Sequence, residues 1–340
     1  MLGFAAGGVC GVEPTRYRDE LLAWLDAGKH GEMSWLKEQI DSRLDPALIL
    51  DGARSVLMVA DLYVDRNDAK DVPLDGSRGR IARYCRGRNY HGEIKRRLHK
   101  LADHLREVYP GEEFRSFVDT APMLERELAA RCGIGWTAKH TLIINERLGS
   151  YLLLGGFATT MELAPPEDQP SAKDRCGECA RCIDACPTGA ITPYSVDARR
   201  CISYLTLEHE SVIDDDLVGS MGSWLAGCDI CQEVCPHNSP RGDRAGDGVA
   251  DRYAPRRDSF DLLEVLGWSE GARRGAFTTS AMKRITLMQM KRNAIICAGN
   301  AMRTERNDEL VQRLTKLAGD ESEDRVVRET ASAVLESLPA

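Results

Sequence analysis

No stretch of this 340-residue chain is apolar for anything like the roughly 18 residues that a membrane span requires. Residues Met1 to Gly11 hold neither a basic leader nor a long apolar core, so a secretory start is not legible. A G-x-G-x-x-G after a strand is missing, which argues against a dinucleotide-binding unit. G-x-x-x-x-G-K-[ST] is missing as well, which removes the P-loop, and without C-x-x-C-H no c-type haem is expected. The expected compartment is the reducing cytoplasm.

Cysteine, by contrast, is plentiful. Seven of the 12 cysteines fall in two runs, Cys176-x2-Cys179-x2-Cys182-x3-Cys186-Pro187 and Cys228-x2-Cys231-x3-Cys235-Pro236. The first has the bacterial ferredoxin spacing for [4Fe–4S] ligation. Zinc also takes C-x-x-C pairs, but a tetrahedral zinc site wants two such pairs rather than this array. Disulfides belong mostly to small secreted domains. Two cubane clusters need eight thiolates, and the second run is one short: counting back from Cys235 in the ferredoxin register reaches Leu225. Cys201, alone between the runs, is the natural eighth ligand. In two-cluster ferredoxins the last cysteine of each run ligates the other cluster. One cluster is therefore expected on Cys176, Cys179, Cys182 and Cys235, the other on Cys186, Cys201, Cys228 and Cys231. The isolated Cys10, Cys85, Cys132 and Cys297 read as small core residues.

The formal net charge of −8 speaks against nucleic acid, but its distribution does not. Ten Lys or Arg lie between Arg78 and Arg106, and a second block holds Arg273, Arg274, Lys283, Arg284, Lys291 and Arg292. Such blocks neutralise phosphates or simply solvate helix faces.

The pattern predicts helices over Tyr17–Gly28, His91–Val108 and from Pro122 to Arg131. Strands are predicted over Ser55–Tyr63 and Phe114–Val118, and a pair of buried strands, Thr141–Asn145 and Ser150–Gly156, joined at Gly149. Residues 1–165 thus read as an α/β catalytic domain, and Ala164 to Pro170 as a linker. Residues 166–240 form the ferredoxin-like domain, and 241–257 an irregular loop. From 259 to 340 the pattern is helical, with Asp308–Ala318 and Asp324–Leu338 paired like a HEAT repeat unit or forming a plain helical cap. The fold class expected is α+β. A ferredoxin needs only about 55–80 residues, so the N-terminal part must receive the electrons.

Motifs outside the cysteines carry a resemblance. Leu25-Asp26-Ala27-Gly28-Lys29-His30-Gly31-Glu32-Met33, Arg43-Leu44-Asp45-Pro46 and Gly52-Ala53-Arg54-Ser55-Val56 take part, as do Ala82 to His91, Val118-Asp119-Thr120-Ala121-Pro122 and Gly133 to His140. With Cys201-Ile202-Ser203-Tyr204-Leu205-Thr206 and both runs, they make the chain resemble the epoxyqueuosine reductase family nearly end to end. The resemblance implies an iron–sulfur, cobalamin-dependent oxidoreductase, with cob(II)alamin and two [4Fe–4S] clusters, acting on epoxyqueuosine at the tRNA wobble position. Clusters pass one electron at a time, while a corrin cobalt accumulates two. It also implies a C-terminal HEAT-like repeat, a monomer, and an external low-potential electron donor.

By the same resemblance Asp119 is the general acid that protonates the leaving oxygen. The alternative for Asp119 is an N-cap of the following helix. As an acid it would need a raised pKa, most simply through desolvation under the corrin. Arg43, Tyr84, Asp119, Lys139, His140, Asn145, Ser150 and Ser203 are the implied cofactor-binding residues. Arg199, Arg200, Lys291 and Arg292 are candidates for anticodon-arm phosphates. No D-x-H-x-x-G occurs, which agrees with a cobalt lacking a histidine ligand. The chain departs from the family at Ala138, at Gly156 and in its abrupt start. Two other readings stand beside this one: a dehalogenase-like corrinoid reductase of a small molecule, and an electron-transfer subunit without chemistry of its own.

Overall fold

The computed structural model describes residues 2–64, 75–170, 173–239 and 251–339. Its centre is a four-stranded antiparallel sheet in the order Ala6–Gly11, Ser55–Leu62, Leu152–Thr159, Phe114–Phe117. The strand Ser55–Leu62 is almost continuously apolar because both of its faces are covered. Val56, Met58 and Ala60 meet Leu128, Ala129 and Cys132 of the helix Glu125–Arg131 and its end. Val59 and Phe157 meet Ile94, Leu98 and Ala102 of the helix Tyr90–Val108 on the opposite face. Asn89 caps that long helix by accepting the His91 N–H at 3.0 Å.

Two expectations shift. The strands predicted around Gly149 do not pair as a hairpin. Ile143–Ile144 pairs with Trp136–Thr137, while Leu152–Thr159 enters the central sheet, leaving only a bridge between Asn145 and Gly149. Gly149 itself is needed: φ is +80°, and a Cβ there would collide with the Asn238 side chain. The helix after Pro122 starts only at Glu125, so Pro122 is not its first residue. The proline-rich linker is pinned, because the Gln169 amide accepts the Val9 N–H and donates to the Val9 carbonyl, both at 2.9 Å. It thereby pairs the outer edge of the sheet. Of the irregular loop predicted over 241–257, positions 241–250 lie outside the described residues.

A second sheet joins distant parts of the chain. Arg78–Ile81 pairs in parallel with Trp224–Ala226, next to the second cysteine run, and antiparallel with Ser259–Asp261. The C-terminal helices Leu287–Met302, Asp308–Gly319 and Arg325–Ser337 close over this sheet around a core that includes Leu225, Phe260, Ile295, Leu314 and Val334.

Two of the proposed phosphate contacts are structural instead. Arg292 is fully buried, and its guanidinium donates to the carbonyls of Leu205, His209 and Ser211 at 2.6–2.8 Å. Lys291 is buried against Glu323. In the first basic block, Arg97 is likewise buried, paired with Asp61 beside Tyr253. A helix-face pattern cannot distinguish a cation that faces water from one aimed at a neighbour's carbonyls. Replacing Arg292 with Ala leaves those carbonyls unsatisfied and is expected to cost about 3 kcal/mol in denaturant unfolding, with Lys restoring little, since it lacks the planar fork. A loss under about 1 kcal/mol would contradict this role.

Candidate active site and cluster sites

The cysteines collect into two groups. Burial first, then the neighbouring Cys176, Cys182 and Cys179, push the Cys235 thiol up to about 11. Cys182 is raised by burial and then by Cys176 and Cys179. On the other side, Cys228 is raised by burial, then by Cys231 and Cys201, and Cys201 by burial and then Cys186. Cys231 feels Cys201 before Cys182 and Cys186. Thiols that repel each other as thiolates are spatial neighbours, so Cys235 lies near Cys176, Cys179 and Cys182, and Cys201 near Cys186, Cys228 and Cys231. Among the described residues no three His, Cys, Asp or Glu side chains are placed to hold a single metal ion. Burial that disfavours free thiolates suits ligands whose charge a cluster's iron offsets.

Trp136 packs between Cys235 and Cys176 and walls the first quartet. Lys139 donates to the carbonyls of Gly177 and Cys179 at 2.6 and 3.1 Å, tying the first cysteine loop to the N-terminal part. Ser150, Gln232 and Asn238 form a buried network beside Cys231 and Cys235.

Asp119 follows the edge strand Phe114–Phe117 and holds φ at +56°, a left-handed conformation rare outside glycine and asparagine. It does not cap the next helix, whose N-cap position is Leu124. Its Oδ2 lies 2.9 Å from His91 Nε2, while its N–H donates to Glu125 Oε1 at 2.6 Å. Burial pushes the Asp119 pKa up, but the His91 hydrogen bond and charge, with Arg284 and Tyr90, outweigh it and leave the carboxyl below its ordinary value. The upward shift expected for an acid is therefore not what these neighbours produce. It appears one helical turn away: burial and the Asp119 charge push Glu125 up to about 8.

The His91 tautomer follows from its contacts. Asn89 Oδ1 accepts the His91 backbone N–H, so its other contact, His91 Nδ1 at 2.7 Å, must be a donor. A neutral His91 then carries its proton on Nδ1 and has a bare Nε2. The contact between Nε2 and Asp119 Oδ2 accordingly needs one more proton, held by the pair.

These groups stand together, partly open to solvent. Half of the Asp119 side chain is open to solvent, and Arg126 is exposed, yet surrounding protein dominates the pKa of each. Tyr84 touches three of the hydrophobic cores and stands edge-on to Tyr90, near Arg284. His140 is buried, pushed down to about 4 by burial and then by the Arg126 charge, and its Nε2 has no hydrogen-bond partner. Arg43, over the Trp35 ring at 5.3 Å, likewise has an enclosed, unpartnered Nε. Enclosed polar atoms without partners, on His140 and Arg43, fit contacts to a bulky cofactor fringed with amides.

The predicted cofactor residues thus divide. Tyr84 and Asp119 meet through Arg284, and His140 joins them through Arg126. Lys139 and Ser150 are spent on the cluster loops, and Ser203 turns its N–H toward Cys201. Asn145 uses its amide within its own turn, accepting from Arg147 and Leu148 at 2.9 Å. The sequence reading passed over His91, Glu125 and Arg284. His91 closes the matched Ala82 to His91 motif, which was an available signal, whereas Glu125 lies three residues beyond the Val118 to Pro122 motif and carried none.

Comparison with known proteins adds the following. A family model described as "4Fe-4S double cluster binding domain" matches residues 175–238, and one described as "Epoxyqueuosine reductase QueG, DUF1730" matches residues 43–120. Epoxyqueuosine reductases of Escherichia coli and Salmonella typhimurium are 39% and 40% identical, each over 88% of this chain and 78% and 77% of their own length. A crystal structure of an epoxyqueuosine reductase with an epoxyqueuosine-modified tRNA stem loop superposes with a TM-score of 0.86 at 27% identity, covering 98% of this chain and 86% of that one. The Bacillus subtilis enzyme with its catalytic loop swung out of the active site superposes at 0.85, with 26% identity and the same coverage.

The quartets can be tested by iron content and electron paramagnetic resonance after anaerobic reconstitution. Cys201→Ala is expected to drop the protein from about eight irons to about four, and Cys235→Ala and Cys182→Ala to lose the same cluster signal. Eight irons retained in Cys201→Ala, or different signals lost in the other two, would contradict the assignment.

Proposed function

The chain belongs to the epoxyqueuosine reductase family, and from that premise we propose that it reduces epoxyqueuosine to queuosine in the anticodon arm of tRNA. The reaction takes two electrons and two protons, cleaves both C–O bonds of the epoxide, and leaves an alkene and water. The observation that carries the site assignment is the His91–Asp119 pair, with its one shared proton at a half-exposed carboxyl. Two [4Fe–4S] clusters, on the two cysteine quartets, carry electrons singly from an external low-potential donor. Cobalamin, when bound, supplies a cobalt centre able to deliver two electrons to carbon.

The chain's own residues do the rest. Asp119 protonates the leaving oxygen, which otherwise departs as a poor leaving group. His91 shares that proton and is oriented by Asn89, so the acid is rebuilt from a second group rather than from solvent alone. Because these neighbours favour the ionised form of Asp119, it is the pair that serves as the acid. Tyr84, His140 and Arg43 are the residues best placed to meet the corrin. Lys139, Asn145, Ser150 and Ser203 would contribute by shaping its cluster-facing wall. Arg199, paired with Asp197, and Arg200, near Asp216, stay on the surface and remain candidates for phosphates. Residues 1–165 would hold the corrin and 166–240 the clusters. Residues 259–340 would form a HEAT-like cap, acting in a monomer. Family membership outweighs the dehalogenase-like alternative.

Asp119→Asn is expected to abolish turnover of an epoxyqueuosine stem–loop with irons and corrinoid retained. His91→Gln is expected to lower kcat by about 10²-fold with little change in KM. Near-normal kcat in both variants would remove the pair from the reaction.

A further inference from the structure

The loop that carries Asp119 makes few bonds that would hold it in place. Thr120 donates to Val118 at 2.6 Å and Met123 to Ala121 at 2.8 Å, both purely local contacts. The following helix begins without a side-chain cap. Yet Asp119 is kept in a left-handed conformation, with its carboxyl against His91. What reaches its backbone is the side chain six residues on: Glu125 Oε1 accepts the Asp119 N–H at 2.6 Å.

We propose that Glu125 is the latch of this loop: its carboxylate, through the Asp119 N–H, holds Asp119 in the conformation that sets it against His91. This rests on Asp119 being the acid. Glu125 is a positioning residue in this scheme and touches neither RNA nor corrin.

The coupling follows from charge. A carboxylate accepts an N–H more strongly than a neutral carboxyl does. Burial and the Asp119 charge push Glu125 up to about 8, against the pull of Arg126 and of the Asp119 N–H. Near neutrality, with Asp119 ionised, Glu125 holds a proton and the latch is weak. When Asp119 is protonated its charge is gone, Glu125 ionises more readily, and the latch tightens. The other groups facing this pair are Tyr90 and His91 from the long helix, Arg126 beside Glu125, Arg284, which attracts Asp119, and Glu208, which repels it.

Hydrogen exchange of residues 118–124, read by mass spectrometry on the reconstituted holoenzyme without RNA, tests the latch directly. Corrected for intrinsic exchange, protection in the native protein should rise about tenfold as pH passes through 8. In Glu125→Gln it should be low and independent of pH, and in Asp119→Asn the rise should move to lower pH. Above pH 8, where Glu125 is ionised, Glu125→Gln should also lower kcat by about tenfold with KM for the stem–loop within about twofold. Native-like, pH-dependent protection in Glu125→Gln would overturn the proposal, as would lost turnover with unaltered exchange. Glu125→Ala adds to the test if it folds, but the near-isosteric Gln variant decides it. Should Asp119→Asn turn over normally, the acid assignment fails, while the exchange result still reports on whether Glu125 holds the loop.

Discussion

Eight thiolates must be brought to two compact clusters from three separate stretches of chain, and most of the architecture follows from that constraint. On the proposed assignment neither cysteine run completes a cluster alone: the first gives up Cys186, the second gives up Cys235, and Cys201 comes from the helix start between them. Crossed ligation of this kind would tie the runs to each other. Lys139, Trp136 and the Ser150–Gln232–Asn238 network then tie the runs to the N-terminal part. The parallel pairing of Arg78–Ile81 with Trp224–Ala226 does the same from the other side and places Tyr84 beside the second quartet. The clusters would thus act as staples between the cysteine runs and the N-terminal part.

The proton side of the site obeys a different economy of contacts. Two carboxyl groups and an imidazole share few protons, and the fold separates their roles by environment. Asn89 fixes the His91 tautomer, His91 favours the ionised Asp119, and burial near that charge favours the protonated Glu125. Splitting the affinities of adjacent acids is a general way to keep both a donor and an acceptor available near neutral pH. Arg284, bonded to Glu208, comes from the C-terminal part, so all three portions of the chain contribute to one electrostatic site.

Much of this was legible in the sequence. The gap in the second run is explained by Leu225, which is fully buried in the inter-segment strand, where its carbonyl accepts from Asn293 at 2.9 Å. A ligand could not be supplied from that position. The central strand and the long basic helix were legible because continuous apolarity and 3.6-residue periodicity reflect burial directly. The function of individual polar residues was not. Arg292, Lys291, Asn145 and Ser150 are the same residue types as ligand-binding groups, and only their partners reveal that they satisfy the fold's own backbone and side chains. Glu125 was missed for the converse reason: nothing in its spacing marks a carboxyl that reaches back to a strained backbone N–H.

The central claim is that electrons collected on the two clusters reach the RNA epoxide only through a corrinoid bound beside Asp119. The most direct measurement is nucleoside mass spectrometry of an epoxyqueuosine stem–loop after anaerobic incubation with reductant and cluster-loaded protein, with and without cobalamin. Loss of one oxygen from the modified base only when cobalamin is present is the predicted result. The same loss without any corrinoid, or no loss with clusters and cobalamin both loaded, would contradict it.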